Sequence, residues 1–315
     1  MNINDNYKSK IAVVLVTYNR KDCLKVALEK YEVQTLAPKY IIVVDNKSSD
    51  GTSDFLRKWE SIETKGIQKV LFTMQENVGG AGGFAKGLDL ALGFDVDWIW
   101  IADDDAYPED DVLKVMVDAY ENMTTFDTSK VAALCSSVVN KGQFDLSHRR
   151  RVEKHIKGIK FVDVPFNEYN NEYFEINQGS YVGMLVKKDK LLKVGLTRKD
   201  FFIYYDDTEH STRLNQEGKI ICIPRAKVIH DAASAEQFSW KNYYGFRNVL
   251  LLLDSHYGKY YAVVEAVKRY LLFVAAWNKK YSRSIRKMLW TGIIDGLKGE
   301  SGIHKVYKPG WQSED

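Results

Sequence analysis

The run Ile11-Ala12-Val13-Val14-Leu15-Val16-Thr17, closed by Tyr18-Asn19-Arg20, decides the architecture of the chain. It is apolar almost throughout, which is how a strand reads when helices cover both faces of a parallel sheet. The same unit recurs downstream. A helix is expected from about Lys21, a strand over residues 40–44, a turn at Asp50-Gly51-Thr52 and a strand over residues 70–75. A glycine-rich turn follows, then a helix carrying Phe84, Leu88 and Leu92 at spacings of four, and a strand over residues 98–102. Tyr107-Pro108-Glu109-Asp110-Asp111 reads as a helix start, with proline and acids where the exposed amides and the helix dipole favour them. Strands alternating with helices predict an α/β fold: a mostly parallel, Rossmann-like sheet flanked by helices.

Past residue 130 the pattern loosens. A strand is expected over residues 131–138, a polar, basic loop or hairpin over 148–160, and strands over 180–187 and 201–205. A helix over residues 207–216 and short apolar runs at 220–223 and 227–229 come next, and from Trp240 the chain reads as a helical, aromatic appendage. No internal repeat and no Gly/Ser-rich or Pro-rich linker divides it.

Composition narrows the class of function. With 315 residues, 45% hydrophobic and 28% charged, the chain can bury a substantial core, which excludes disorder, collagen and small disulfide scaffolds. A net charge of +3, from 45 basic against 42 acidic residues, is too small for a polyanion binder acting through its whole surface, and nucleic acid is not an expected partner. Cys23, Cys135 and Cys222 stand singly, so neither a zinc site nor a disulfide framework is indicated and a reducing compartment fits. The polar start Met1-Asn2-Ile3-Asn4-Asp5-Asn6 lacks the features of a signal peptide, and no apolar stretch is long enough to span a bilayer, so a cytoplasmic location is expected.

In open parallel sheets ligands bind beyond the carboxyl ends of the strands, and four polar features fall there: Thr17 to Arg20, Asp45-Asn46, Asn77 to Gly83, and Asp103 to Asp105. Three consecutive carboxylates repel one another unless a cation or solvent offsets their charge. Side chains two apart in extended backbone share a face, so Asp103 and Asp105 can grip one Mg²⁺ or Mn²⁺ while Asp104 turns elsewhere, towards a ribose. Asp45 is placed to accept a hydrogen bond from a base N–H. The glycine run contains a G-x-G-x-x-A pattern, with Asp103 lying 21 residues after Gly82, which raises a dinucleotide-dependent oxidoreductase as a rival. Against that rival, the pattern follows the third strand, and the acid belongs to a triplet. Farther on, Asp206 and Asp207 stand at a strand-to-helix junction as N-cap or general base, and His230 follows an apolar run as a possible metal ligand beside the acid cluster.

Val16-Thr17-Tyr18-Asn19-Arg20, Val44-Asp45-Asn46-Lys47-Ser48-Ser49-Asp50-Gly51-Thr52, Asp103-Asp104-Asp105-Ala106 and Asp206-Asp207, in that order, resemble the inverting, metal-dependent glycosyltransferases of family two, which have a GT-A fold. The resemblance runs from about Ile11 to His230. Asn77-Val78-Gly79-Gly80-Ala81-Gly82-Gly83-Phe84 and Trp240-Lys241-Asn242-Tyr243-Tyr244-Gly245-Phe246-Arg247-Asn248 are similar to galactofuranosyltransferases and some rhamnosyltransferases of bacterial surface polysaccharides. The resemblance implies that Thr17, Arg20, Asp45, Asn77, Gly79, Gly80 and Asp104 hold the nucleotide sugar, expected to be UDP-galactofuranose, with dTDP-rhamnose the alternative. It implies Asp103, Asp105 and His230 as ligands of Mn²⁺ or Mg²⁺, and Asp207, preferred over Asp206, as the base acting on a polysaccharide or lipid-linked glycan acceptor. Tyr204, Asp206, Glu209, His210 and Trp240 are expected around that acceptor. The domains follow: a catalytic domain over residues 1–238, with 10–130 for the donor and 131–238 for the acceptor, then a helical, basic region over 239–315. Residues 259–308 carry eleven Lys or Arg against three acids, interleaved with aromatic and aliphatic residues, which suits peripheral contact with an anionic membrane surface or a bundle packed on the catalytic domain.

Overall fold

The computed structural model describes residues 10–64, 66–124, 127–231, 238–275 and 281–313. The first half is built from β1 (Ile11–Thr17), α1 (Lys21–Glu32), β2 (Tyr40–Asp45), α2 (Thr52–Ser61), β3 (Gln68–Thr73), α3 (Gly79–Leu92), β4 (Trp98–Asp103), β5 (Ala106–Pro108) and α4 (Val112–Glu121). Next come β6 (Val131–Asn140), β7 (Gln143–Phe144), β8 (Arg149–His155), β9 (Gly158–Asp163), β10 (Phe174–Ile176), β11 (Gln178–Gly179), β12 (Met184–Lys187), α5 (Lys188–Val194), α6 (Asp206–Glu217) and β13 (Lys219–His230). Three helices complete the described chain, α7 (Lys241–Tyr257), α8 (Lys259–Ala275) and α9 (Arg283–Lys298).

The main sheet runs β10-β13-β6-β12-β4-β1-β2-β3, with β5 on β13 and β7 on β6, and a smaller sheet runs β11-β8-β9. The pairs β4-β1, β1-β2, β2-β3 and β13-β6 are parallel, while β12 enters antiparallel between β4 and β6. Along β1 the side chains divide by the period of two: Ile11, Val13 and Leu15 join one core, with α1 and α4, and Ala12, Val14 and Val16 the other, with α3. Both faces are therefore covered, as the unbroken apolar run requires.

Several elements differ from the sequence reading. The glycines are not a turn before a helix but the first turns of α3, and Gly83 and Gly87 form the face laid on β1. A Cβ there would lie 2.4 Å from methyls of Val16 and Val14. The basic stretch over 148–160 takes the hairpin form of its two expected forms, as β8-β9, whereas the two runs near 220 and 228 are one strand with an irregularity between Ile223 and Lys227. The expected strand over 180–187 begins only at Met184, after a turn in which Gly183 has φ +77° and faces Ser136. Pro108 ends the short strand β5, so the helix begins at Val112. The strand expected over 201–205 is absent: a 3-10 turn, Lys199–Phe201, leads into Phe202, Tyr204 and Tyr205, all left-handed.

Candidate active site

Strand register assembles the acid cluster. Thr17 sits opposite Asp45 and Val16 opposite Asp103, so the ends of three parallel strands deliver their polar residues to one edge. Antiparallel pairing of β5 with β13 sets His230 opposite Ala106 and brings its Nε2 to 3.5 Å from Asp105 Oδ1. Arg20, in the turn after β1, reaches across with both terminal nitrogens, Nη1 3.1 Å from Asp104 and Nη2 2.7 Å from Asp105. Thr17 donates its hydroxyl to the other oxygen of Asp104 at 2.7 Å.

This wiring splits the triplet electrostatically. Burial, with repulsion from Asp105 and Asp104, pushes Asp103 up to about 7. Burial raises Asp104 to about 6 against the opposing pull of Arg20 and Thr17. For Asp105 burial is outweighed by His230 and Arg20, which hold it below the usual carboxylate range. Asp103, Asp105 and His230 each offer one ligand atom, all within 4.8 Å of one another. His230 Nδ1 is buried with no hydrogen-bond partner among the described residues. Two carboxylates and an imidazole, with an orphaned ring nitrogen and one carboxylate raised by burial and by its acidic neighbours, make a donor set that fits Mn²⁺ or Mg²⁺.

Two pockets meet at this cluster, and Arg20, Asp103 and Lys241 line both. The larger, about 870 Å³, has Thr17, Tyr18, Asn46, Asn77, Gly79 and Gly80 on one wall and Phe202, Trp240 and residues 309–313 on another. The smaller, about 620 Å³, holds Asp105, His230, Tyr204, Tyr205, Asp206 and Asp207. Gly79 has φ +74°, and a Cβ there would lie 2.0 Å from the Phe202 carbonyl, so the start of α3 is pressed against the loop before α6. Asn77 accepts from Gly79 N–H at 2.9 Å, and Asn46 donates to the Gly79 carbonyl at 2.7 Å.

That loop carries Asp206 and Asp207 into the smaller pocket and is held from α7. The Asn248 side-chain amide lies 2.9 Å from the carbonyls of Phe201, Ile203 and Tyr204. Arg247 donates to Gly302 O at 2.6 Å and to the Asp200 and Phe201 carbonyls at 3.3 Å. Left-handed non-glycine residues each cost on the order of 1 kcal/mol or more, and these contacts explain how three persist within four residues. Burial, with repulsion from Asp207, raises Asp206 well above the ordinary range. Burial also raises Asp207, against the Thr208 hydrogen bonds and the charges of His148 and Arg150.

The structure brings Thr17, Arg20, Asn77, Gly79, Gly80, Asp103, Asp104, Asp105, Asp207, Asp206, Tyr204 and His230 to this cleft. Four expected residues are placed elsewhere. Glu209 and His210 do not line the smaller pocket: Glu209 is buried between Arg213, at 2.9 Å, and His256, at 3.1 Å, and His210 is buried between the Tyr181 hydroxyl and the Gly195 carbonyl. Trp240 lines the larger pocket, packed against Phe202 and Tyr244. Asp45 lies fully buried beneath the lining, its oxygens taken by Ser48 N–H and the Ser53 hydroxyl, while its neighbour Asn46 faces the cavity. Sequence reasoning missed Phe202, Lys241 and residues 309–313 as lining, and gave Tyr18 and Asn46 no role beyond their place at strand ends. The Lys241–Asn248 stretch carried a resemblance but no signal of what it holds.

Residues 12–179 match the profile of glycosyl transferase family 2, more than half of the chain. Galactofuranosyltransferase GlfT1 of Mycobacterium tuberculosis (strain ATCC 25618 / H37Rv) is 27% identical over 208 residues, covering 66% of this chain and 65% of that protein. The fold is close to S. aureus TarS 1-349 in complex with UDP-GlcNAc, with TM-score 0.59, 13% identity, and coverage of 91% of this chain and 81% of that one. It is also close to the mannosyltransferase PcManGT from Pyrobaculum calidifontis in complex with GDP-Man and Mn²⁺, with TM-score 0.55, 16% identity, and coverage of 93% and 88%. The sheet, its flanking helices and these neighbours give the GT-A fold, and the family match over β1 to β11, more than half of the chain, gives the lineage: the chain belongs to glycosyl transferase family 2.

Proposed function

We infer that this glycosyltransferase moves galactofuranose from UDP-galactofuranose, with inversion, onto a growing polysaccharide or lipid-linked glycan. The observation that carries the reading is the meeting, at Asp103, of a pocket of nucleotide-sugar size with a second one that holds Asp207. The galactofuranosyl donor is supported by the 27% identity to GlfT1, of which the match spans 65%.

Thr17, Asn46, Asn77 and the α3 start would seat the nucleotide, and the carboxylates of Asp103 and Asp105 with His230 would hold the divalent ion. When bound, that ion supplies Lewis-acid charge to the departing diphosphate. Arg20 and Lys241 line both pockets, placing two further positive charges near the leaving group. Asp207 takes the proton of the acceptor hydroxyl as the oxygen attacks the anomeric carbon. The bond to the UDP oxygen breaks on the opposite face and UDP leaves with its electron pair, so configuration inverts and no covalent enzyme intermediate forms. A base with its pKa raised towards the working pH is suited to this step. The oxidoreductase reading loses its support, since its glycine pattern lies inside α3 with Gly83 packed on β1.

The test is a donor panel of UDP-galactofuranose, UDP-galactopyranose and dTDP-rhamnose with Mn²⁺, followed by chromatography of released nucleotide. UDP release from the furanose alone is expected. Release of dTDP instead would make the enzyme a rhamnosyltransferase, and release from none would leave it a binding module.

A further inference from the structure

We propose that the face built by the β8-β9 hairpin tip, α8 and α9 is a docking surface for an anionic phospholipid bilayer. The inference goes beyond the donor reading and does not depend on it.

On α8, Tyr260, Val263, Val267 and Leu271 recur at spacings of three, four and four, the period of one helical face, yet all are exposed, Leu271 to 59%. The opposite face, with Ala262 and Ala266, is buried against α7. An amphipathic helix on a water-soluble body normally turns its apolar stripe inward; α8 carries a second stripe pointing out. The stripe continues at both ends. Ile156, at the hairpin tip, is 83% exposed, and its carbonyl accepts from the Tyr260 hydroxyl at 2.9 Å. Trp290 of α9 is 43% exposed, with its ring 5.5 Å from that of Tyr270.

Cations border the stripe. Lys157 at the tip and Arg283 and Lys287 on α9 are exposed, and Lys268 lies over Gly158 in the hairpin turn. The acid of α8, Glu265, is paired with Arg269 at 2.8 Å, and Arg269 lies over the Phe246 ring of α7. Tyrosine, tryptophan and aliphatic side chains between lysines match the bilayer interface, where rings sit at headgroup depth and lysines keep their charge among phosphates. A second copy of the chain fits this face less well, because an isologous contact would set one cationic border against another, and protein interface cores are depleted in lysine. The face is tied to the smaller pocket: Tyr205, next to Asp206, packs on the same cluster as Ile159 of the hairpin and Ala262 of α8. No helix among the described residues is long and apolar enough to cross a membrane, so contact here would be peripheral.

Co-sedimentation of the full chain with vesicles tests this without any sugar. Binding to vesicles of equal parts phosphatidylglycerol and phosphatidylcholine is expected, with weak binding to phosphatidylcholine alone and release at high salt. Val267→Asp with Leu271→Asp should cut the bound fraction at least about tenfold, with circular dichroism and melting temperature close to those of the parent. Lys157→Glu with Lys287→Glu should remove the preference for anionic lipid, also by about tenfold or more. Failure to pellet with anionic vesicles overturns the proposal, as does binding by the double aspartate variant equal to that of the parent. A concentration-dependent dimer dispersed by the same aspartates would give the face to a second copy and overturn it equally.

Discussion

Desolvation works against three neighbouring carboxylates, and what keeps the cluster usable is the guanidinium of Arg20, forked between Asp104 and Asp105. Arg20→Met is expected to raise the pKa values of both acids and to weaken UDP binding by about tenfold or more at fixed Mn²⁺, measured calorimetrically. Arg20→Lys should recover only part, since one ammonium cannot span both carboxylates. Asp207 stands on the other side of Asp103. Asp207→Asn should lower kcat by about 10² to 10⁴ with the UDP dissociation constant nearly unchanged; full turnover by the variant removes Asp207 from its role. At this scale the acid triplet and Asp206-Asp207 were legible because they interrupt apolar runs at strand ends. Glu209 and His210 were not, because what commits them to the interior, His256 from α7 and Tyr181 from the turn before β12, lies far away in sequence.

Among the elements, the 201–205 loop shows where local pattern fails. Phe201-Phe202-Ile203-Tyr204-Tyr205 has the composition of a buried strand, yet its carbonyls are captured by one amide from α7 and its φ angles turn positive. No local signal announces that, since the captor is more than 40 residues away. Asn248→Leu, of similar volume, should cost about 1 to 3 kcal/mol of stability by leaving buried carbonyls unpaired. It should also lower kcat more than it raises the donor KM, because the loop it frees carries Asp207. Equal losses in kcat and donor affinity would point to general unfolding rather than positioning. The α3 glycines were misplaced for a related reason: a glycine run reads as a turn until β1 is seen to need glycine where α3 crosses it.

The α/β class of the molecule followed from the doubly buried parallel strands, which need no partner information to be recognised. The seating of the C-terminal helices did not, because α7 grips the loop before α6 through Arg247 and Asn248, and residues 309–313 return to line the larger pocket. Global stability should carry a signature of His210. Burial, with the nearby Arg213 charge, lowers it from 6.5 to about 3, so the unfolded chain takes up its proton first as pH falls. The stabilisation is therefore fully present above about 6.5 and is lost as pH drops towards 3. Urea unfolding at pH 7 and pH 5 should differ by about 2 kcal/mol more in the parent than in His210→Gln. Identical pH dependence in both would show that His210 titrates alike in the folded and the unfolded chain.

The ligand atoms of Asp103, Asp105 and His230 lie within 4.8 Å of one another, and we propose that they hold the divalent ion beside the donor. Anomalous diffraction from crystals soaked with Mn²⁺ and UDP is the test: a peak is expected within ligand distance of both carboxylates and the imidazole, vanishing in Asp105→Asn with His230→Ala. A manganese peak bound to UDP elsewhere in the cleft, with these three side chains unmoved, would contradict it.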